Sequence, residues 1–319
     1  MEKNKILVTG GAGFIGSHLV DRLVKEKKNV IVIDNLSHGK IKNIQKHLKL
    51  KNFEFYKNDI TSTKNLEHLK NVKTVFHIAA YPEVRTGVDN PSFAYKENVS
   101  KTFQLLEMIR KSDVKKIIFT SSSVVYGEPN IIPTPEKYGP LNPISIYGGS
   151  KLACEGLISS YCNTYRIKAV MFRFANVIGS RSTHGVIWDF IHKLKKNQNK
   201  LEILGNGKQT KSYIHIKDCI DGLLISEKNN NQNVEIYNLS NKDWIDVMSI
   251  AKIVCKTMKV DKSVIKLSGG TKDGRGWIGD VKKMRLDIKK IKKEGWIPSI
   301  NSKKSVEKAC IETIADLKN

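Results

Sequence analysis

The sequence has few cysteines and no long apolar run. It contains five cysteines among 319 residues, and none of them forms a Cys-x-x-Cys pair. An odd number cannot all pair with one another, so we expect neither a disulfide framework nor a zinc site. No apolar stretch approaches the ~20 residues that a membrane-spanning helix needs, and the opening MEKNKILVTG lacks the apolar core of a secretion signal. These absences predict a cytoplasmic protein with no membrane segment and no metal.

Acidic residues are scarce relative to basic ones. The chain has 31 Asp and Glu residues against 55 Lys and Arg residues, a formal net charge of +24. Clustered basic residues would suggest nucleic-acid binding, but lysines occur throughout, and the densest run, 282–293, contains no aromatic residue. We therefore interpret the charge as a solvated lysine-rich surface and expect no nucleic-acid partner. A weaker interpretation is that the positive potential attracts an anionic substrate such as a nucleotide.

Short apolar runs of strand length alternate with helical patterns. Ile15, Leu19 and Leu23 recur at every fourth position, which predicts an amphipathic helix between the first two strands. A second helix is predicted over 147–166. Strands that alternate with helices predict right-handed crossovers, and hence a parallel sheet covered by helices on both faces. The predicted strands are 6–9, 30–34, 53–56, 74–78, 116–120, 169–174 and 235–238.

This pattern predicts an α/β fold, a Rossmann-type doubly wound parallel sheet with a smaller, mixed α/β C-terminal region. We place the first unit at 1–174, with a late strand near 234–239 returning to it. The second unit, 175–319, is less regular and richer in glycine.

A glycine-rich turn joins the first strand to the first helix. Gly10 allows a sharp turn, Gly13 lets a pyrophosphate approach the backbone, and Gly16 lets the helix pack on the strand. The N-terminus of that helix offers unpaired N–H groups to a phosphate. Asp34 ends the second strand, where it can accept hydrogen bonds from ribose hydroxyls and would repel a 2′-phosphate. The turn therefore predicts a dinucleotide site that prefers NAD to NADP.

Tyr147 and Lys151 are four residues apart on a predicted helix, so their side chains share a face. A tyrosine with its ordinary pKa of ~10 needs acidification to act as a base at neutral pH. The ammonium of Lys151 and a positive nicotinamide ring would both favour the phenolate. The serines at 121–123 follow the fifth strand, at the sheet edge that also carries the glycine-rich turn. One of them could therefore hydrogen-bond the substrate oxygen that Tyr147 deprotonates.

Taken together, these ordered motifs resemble the extended short-chain dehydrogenase/reductase family. Within that family, the chain is most similar to NAD-dependent nucleotide-sugar epimerases of the UDP-glucose 4-epimerase type. The resemblance runs from Thr9 to Gly295-Trp296 and is densest in the first 180 residues. The motifs that carry it are TGGAGFIG, Asp34-Asn35, Asp59-Ile60, His77-Ile78-Ala79-Ala80, SSSVVYG and YGGSK.

The resemblance implies a role for individual residues. It selects Ser122 as the catalytic serine, beside Tyr147 and Lys151, and it makes 1–174 the NAD-binding unit and 175–319 the nucleotide-sugar-binding region. It also implies a homodimer formed by the helices near 92–110 and 147–166. The residues implied to contact NAD are Gly10, Gly13, Phe14, Ile15, Gly16, Asp34, Asn35, Asp59, Ile60, Ala79, Ala80, Tyr81, Asn98, Ser122, Tyr147 and Lys151. Those implied to contact the nucleotide sugar are Arg85, Ser122, Tyr147, Asn176, Lys211 and Arg275.

The implied reaction is inversion at C4 of a UDP-hexose such as UDP-glucose or UDP-galactose, with or without an N-acetyl group. Tyr147 would take the C4 hydroxyl proton while hydride passes to NAD, and the 4-keto sugar would turn and regain hydride on its other face. Lys211 stands where many relatives have arginine and loses bidentate geometry, which leaves GDP and dTDP open as alternatives to UDP.

Other functions remain as alternatives. A 4,6-dehydratase on this scaffold carries an Asp-Glu pair directly after its catalytic threonine, where this chain has Ser123 and Val124. A one-way NAD-dependent reductase or dehydrogenase is harder to exclude by sequence. A non-catalytic nucleotide- or RNA-binding protein is disfavoured because Ser122, Tyr147 and Lys151 are all present.

Overall fold

The computed structural model describes residues 4–82, 88–225 and 232–318. The strands are β1 (Lys5–Thr9), β2 (Asn29–Asp34), β3 (Phe53–Lys57), β4 (Val72–His77), β5 (Lys116–Ser122), β6 (Lys168–Phe174), β7 (Asn176–Ile178), β8 (Lys200–Leu204), β9 (Thr210–Lys211), β10 (Tyr213–His215), β11 (Val234–Leu239), β12 (Ile245–Asp246), β13 (Val264–Ser268) and β14 (Lys283–Met284). The helices are α1 (Phe14–Lys25), α2 (Asn65–His68), α3 (Pro91–Ala94), α4 (Lys101–Ile109), α5 (Ile146–Tyr165), α6 (Val186–Lys196), α7 (Ile216–Leu224), α8 (Val247–Thr257), α9 (Lys289–Lys293) and α10 (Ser302–Asp316).

Seven parallel strands form the central sheet, in the order β11-β6-β5-β4-β1-β2-β3. Every predicted strand is present, with each end within two residues of the prediction. The order reverses at β1, so the crevice of a doubly wound sheet opens above the carboxyl ends of β1 and β4. The predicted Rossmann-type α/β fold is therefore confirmed.

Successive residues of each central strand enter different cores because side chains alternate along a strand. Val8 and Val32 face one core, which α1 and α7 cover. Leu7 and Ile33 face the opposite core, which α4 and α5 cover. Burial of both faces explains why these strands read as nearly continuous apolar runs rather than as alternating ones.

Helix α5 differs slightly from the prediction. It ends at Tyr165, and the next residue, Arg166, has a left-handed φ of 56° and closes the helix. The helix begins at Ile146, where the Ser145 hydroxyl accepts a hydrogen bond from the Gly148 N–H. This cap fixes the start of the helix one residue before Tyr147.

The C-terminal part has its own apolar core. Helices α6, α8 and α10 pack together with β8, which pairs in parallel with β13. Strand β11 leaves this part of the chain and pairs with β6 at the edge of the central sheet. The short pair β7 and β10 continues from β6 toward this region.

The described residues lack what disulfides, metal sites and membrane helices require. All five cysteines are buried single thiols. Within 4–82, 88–225 and 232–318, no group of three His, Cys, Asp or Glu residues could hold a metal ion. In those same ranges no helix has the length and apolarity to cross a bilayer.

Candidate functional site

The glycine-rich turn closes tightly around the end of β1. Gly10 has a φ of 69°, a conformation in which side chains are strained. A Cβ on Gly16 would lie 2.1 Å from the Gly10 carbonyl oxygen, so only glycine allows α1 to start this close to the strand. The N-cap residue, Gly13, gives α1 no side-chain hydrogen bond, and the first turn of α1 has no acidic residue. The N-terminus of α1 therefore has no side-chain cap from Gly13, and its N–H groups suit an anionic phosphate.

Asp34 holds this turn in place. One carboxylate oxygen accepts the Ala12 N–H at 2.9 Å and the other accepts the Leu36 N–H at 2.8 Å. The residue is only 6% exposed, and burial raises its pKa above the ordinary aspartate value. Gly39 lies so close that a Cβ there would be 2.8 Å from the carboxylate. Asp34 thus sits beside the glycine-rich turn, as the sequence predicts for a residue that meets the ribose.

The predicted adenine-side residues lie on the next loop. The Asn35 side chain donates to the Asp59 carboxylate at 3.1 Å, and the Lys101 ammonium donates to the same carboxylate at 2.7 Å. Burial opposes ionisation of Asp59, but hydrogen bonds from Lys101 and Thr61 lower its pKa to about 2. Ile60 is buried in the core beneath the loop. Asp59 is therefore a charged anchor for the loop.

Asn98 joins the loop after β4 to α5. Its side-chain oxygen accepts the Tyr81 N–H at 2.7 Å, and its amide nitrogen donates to the Ser150 hydroxyl at 2.9 Å. Asn98 lies in a π-helical turn, Tyr95–Ser100, between α3 and α4. Such turns are frequent at functional sites.

The same loop after β4 closes on the glycine-rich turn. A Cβ on Gly10 would lie 2.8 Å from the Ala79 backbone. Ala80, next along the loop, is half-buried. Phe14 and Ile15, which open α1, pack against the core as partly buried side chains. The structure thus brings together the residues predicted to surround the middle of the dinucleotide.

Ser122, Tyr147 and Lys151 converge at the end of β5. The Ser122 hydroxyl lies close enough to the Tyr147 phenol to favour its ionised form. Lys151 is 2% exposed, and its ammonium lies 4.2 Å from the centre of the Phe119 ring. Burial lowers the pKa of Lys151 to about 8, and the negative charge of Glu155 offsets part of that shift. The arrangement places a phenol, a hydroxyl and a buried cation in one cleft.

The expected acidification of Tyr147 is absent from the protein alone. Burial raises the pKa of Tyr147 to about 12, and the nearby Ser122 offsets only part of that shift. The Lys151 ammonium lies beside the Phe119 ring and contributes no shift to the pKa of Tyr147. The sequence predicts that Lys151 and a nicotinamide ring act on this phenol together, and that joint effect stays a prediction.

Behind the three residues lies a buried ion pair. The Arg173 guanidinium on β6 donates to both oxygens of Glu155 on α5, at 3.0 and 2.7 Å, and the Ser121 hydroxyl donates to the same carboxylate. The side chains of Arg173 and Glu155 are 4% and 5% exposed. Neither residue was predicted from the sequence, although the spacing of Tyr147 and Lys151 puts Glu155 four residues further along the same face.

A second buried group, His77, lies under Lys151. Its ring nitrogens contact the Thr9 and Thr102 hydroxyls at 2.9 and 3.0 Å. Burial, together with the charge of Lys151, lowers the pKa of His77 to about 3, so the ring is neutral. The neutral imidazole ties the end of β1 to α4 without adding a like charge beside the lysine.

Three of the predicted nucleotide-sugar residues follow β6: Asn176 on β7, Lys211 on β9 and Arg275 between β13 and β14. The Asn176 N–H donates to the Ser212 carbonyl, next to Lys211, and the side-chain nitrogen of Asn176 is buried with no partner among the described residues. Lys211 pairs with Asp280, and the Arg275 guanidinium donates to Glu128. Arg85 lies outside the described residues. Asn176 thus lies next to Lys211 in the fold, and the two cations already have acidic partners.

Comparisons with known proteins agree with this geometry. Residues 6–240 match the model of the NAD dependent epimerase/dehydratase family. A protein of Methanocaldococcus jannaschii that carries a provisional assignment as a UDP-glucose 4-epimerase is 37% identical, over 95% of this chain and 96% of its own. A crystal structure of a UDP-galactose 4-epimerase is 38% identical, with a TM-score of 0.87 over 98% of this chain and 99% of its own.

The other similar proteins include a cofactor complex and different chemistries. A UDP-glucuronic acid 4-epimerase from Bacillus cereus, solved with UDP-glucuronic acid and NAD, is 29% identical, with a TM-score of 0.86 over 97% of this chain and 98% of its own. UDP-glucuronic acid decarboxylase 4 of Arabidopsis thaliana is 31% identical over 93% of this chain and 65% of its own. The glycine-rich turn and Asp34 fit the NAD on which this family depends. The chain belongs to the NAD-dependent epimerase/dehydratase family.

Proposed function

We propose that the protein inverts C4 of a UDP-hexose, of the UDP-glucose and UDP-galactose type. The observation that carries the proposal is the approach of Ser122 to Tyr147, at the sheet edge that also holds the glycine-rich turn. A phenol and a hydroxyl at this edge can share the proton of one sugar hydroxyl. Most of the similar proteins named above are 4-epimerases that act on UDP-sugars.

Each catalytic side chain has a defined task in this proposal. Tyr147 holds the proton that the C4 hydroxyl releases, and Ser122 donates a hydrogen bond to the same sugar oxygen. Lys151 holds the ribose next to the reacting ring, since its position four residues after Tyr147 directs it into the same cleft. When bound, NAD supplies the acceptor, and afterwards the donor, of the C4 hydride.

The turn after Ser122 favours epimerisation over elimination. Elimination of water from C5 and C6 needs an additional acid and base beside the sugar. Residues 122–127, which are all described, contain no acidic side chain. The nearby carboxylate of Glu155 is bound on both oxygens by Arg173 and is buried. No acid of this turn is therefore available for a dehydratase step.

The nucleotide half of the substrate is proposed to lie against Asn176, Lys211 and Arg275. The buried amide of Asn176 supplies a free donor, and the two cations supply charge for a diphosphate. A tightly held nucleotide and a loosely held sugar are what the reaction requires, because the keto sugar has to present both faces. UDP is the nucleotide we propose.

The helix surface near α4 and α5 is proposed to form a homodimer. Phe103 on α4 and Tyr165 at the end of α5 are 43% and 46% exposed. Tyr161 contacts both rings, at centroid distances of 6.1 and 5.4 Å, so the three form one aromatic patch. Apolar patches of this kind mark protein interfaces. Phe103→Glu should convert a dimer to a monomer in light scattering, and a wild-type monomer would contradict the proposal.

The test of the reaction is incubation with UDP-galactose or UDP-glucose, followed by chromatography of the products. We expect the same mixture of the two sugars from either starting point, with no net change in NADH absorbance. Accumulation of a keto sugar, or release of carbon dioxide from UDP-glucuronic acid, would indicate a lyase instead. Net consumption of added NAD or NADH would indicate a one-way oxidoreductase. Parallel reactions with GDP-, dTDP- and N-acetylated UDP-sugars identify the substrate within the class.

A further inference from the structure

The arginine on the nucleotide side of the cleft is fully engaged by acidic groups of the chain. The two terminal nitrogens of Arg275 donate to the two carboxylate oxygens of Glu128, both at 2.7 Å. Its Nε donates to Asp273 at 2.7 Å, and one terminal nitrogen also donates to the Asp280 carbonyl. The edge of the guanidinium that could donate two hydrogen bonds to a phosphate is therefore the edge that donates to Glu128.

The surrounding charges balance. Lys211 pairs with Asp280, and Lys282 pairs with Asp273. The network therefore contains three cations, Lys211, Arg275 and Lys282, and three carboxylates, Glu128, Asp273 and Asp280. Such a cluster has no net charge with which to attract a diphosphate. An entering diphosphate gains a strong contact only where it replaces one of the carboxylates.

Glu128 is the carboxylate best placed to leave. The Asp280 side chain is 3% exposed and fixed under Gly276, whereas the Glu128 side chain is 38% exposed. Asp273 is also exposed, but it holds the Nε edge of Arg275 and not the forked end. A solvated carboxylate loses little when it returns to water.

Glu128 also connects the nucleotide side to the catalytic turn. It follows Gly127, whose φ of 65° and close approach to the Asn142 carbonyl fix the end of the turn that starts after Ser122. On the opposite side, a Cβ on Gly279 would lie 3.1 Å from Ser145, the cap of α5. The loop that carries Arg275 therefore touches both segments that bear Ser122 and Tyr147.

We propose that Glu128 competes with the nucleotide diphosphate for the forked end of Arg275 and thereby sets the affinity of the site. This inference rests on the proposed function, in which Arg275 contacts the diphosphate. In the unloaded protein, Glu128 neutralises the arginine and keeps its loop in place. In the loaded protein, the phosphate takes the fork and Glu128 turns to solvent.

The test uses the protein as purified with its NAD, and UDP as the probe in titration calorimetry. Glu128→Gln removes the competing charge, so UDP should bind about three- to tenfold more tightly than to wild type. The affinity of this variant should also fall more steeply with added salt, because Arg275 is no longer compensated. Glu26→Gln is the matched control, since Glu26 is a half-exposed partner of Arg22 at the end of α1, and it should bind UDP like wild type.

Two further variants decide between outcomes. Glu128→Ala repeats the charge removal without a new amide, and it guards against a local effect of glutamine. If both Glu128 variants bind UDP as wild type does or more weakly, Glu128 is a structural latch and the inference is wrong. Arg275→Ala should weaken UDP binding at least tenfold. If Arg275→Ala binds UDP normally while the sugars still interconvert, this inference fails and the proposed epimerase function stands.

Discussion

Arg173 and Glu155 form a bidentate ion pair that is almost completely buried, directly behind the strand end that carries Ser122. Glu155 lies on the same helix face as Tyr147 and Lys151, and its carboxylate also accepts the Ser121 hydroxyl. The Arg173 guanidinium lies 4.7 Å from the centre of the Tyr126 ring. The pair therefore fixes the rotation of α5 relative to β5, and with it the separation of Ser122 and Tyr147.

Removal of one charge of this pair should be costly. Glu155→Gln leaves the Arg173 guanidinium buried without a counter-charge, so we expect a loss of about 3–5 kcal/mol in the free energy of unfolding. Ser121→Ala removes one hydrogen bond and leaves the pair, so a loss of about 1 kcal/mol is expected. Urea unfolding followed by circular dichroism measures both losses.

The double variant Glu155→Met with Arg173→Met is the control. It removes both charges, so its loss should be smaller than that of Glu155→Gln alone. A Glu155→Gln protein as stable as wild type would show that the pair does not hold α5 in place.

The glycine-rich turn makes a separate prediction. In Gly16→Ala the new methyl group meets the Gly10 carbonyl at 2.1 Å, so the turn must open and NAD should be lost or bound at least tenfold more weakly. Gly156→Ala is the matched control on α5, because a Cβ there would have no atom within 4 Å other than its chain neighbours and the backbone of its own helix. That variant should keep NAD and gain about 0.5–1 kcal/mol of stability. Cofactor content after purification, read by absorbance, tests both; normal NAD content in Gly16→Ala would contradict the assigned role of the turn.

The burial of Lys151 leads us to predict that the free energy of unfolding depends on pH. Burial lowers its pKa to about 8 in the folded protein, while an unfolded lysine titrates near its ordinary value of 10.5. Between these values the unfolded chain binds more protons, so this lysine makes wild-type stability rise with pH across that window. Below pH 8 the charge of the buried lysine lowers the free energy of unfolding by about 3 kcal/mol. This figure follows from the pKa difference, because each pKa unit corresponds to about 1.4 kcal/mol.

Lys151→Met should therefore be more stable than wild type at pH 7, once NAD is removed from both. The gain should shrink by pH 10, where the wild-type lysine is neutral in the folded protein. Loss of the contact with the Phe119 ring offsets part of the gain, by about 0.5–2 kcal/mol. Urea unfolding at pH 7 and pH 10 measures the difference. A difference that is the same at the two pH values would mean that Lys151 is not a buried cation in the folded protein.

The sequence predicted the sheet well because buried parallel strands leave a strong local signal. Val8 and Val32 belong to runs that are apolar on both faces, and such runs are found by inspection. The glycine-rich turn is also local, since the glycines that shape it lie within seven residues. The end of α5 was missed by one residue because Arg166 adopts a left-handed conformation usually taken by glycine.

The electrostatics of the site could not be predicted from the sequence. Whether Lys151 lowers the pKa of Tyr147 depends on where its ammonium points, and the structure directs it toward Phe119. The partners of Arg275 come from positions as distant in the chain as Glu128. Such pairs are made by the fold and leave no pattern in spacing, except for Glu155, whose place on the face of Tyr147 was visible in the sequence.

The central claim is that the Tyr147 phenol carries the proton in sugar interconversion, and Tyr147→Phe tests it most directly. The measurement is the initial rate at which UDP-galactose becomes UDP-glucose, with UDP binding recorded on the same preparation. The account predicts a rate at least a hundredfold lower than wild type, with UDP affinity unchanged within about threefold. A variant that interconverts the two sugars at the wild-type rate would show that the proton is carried elsewhere.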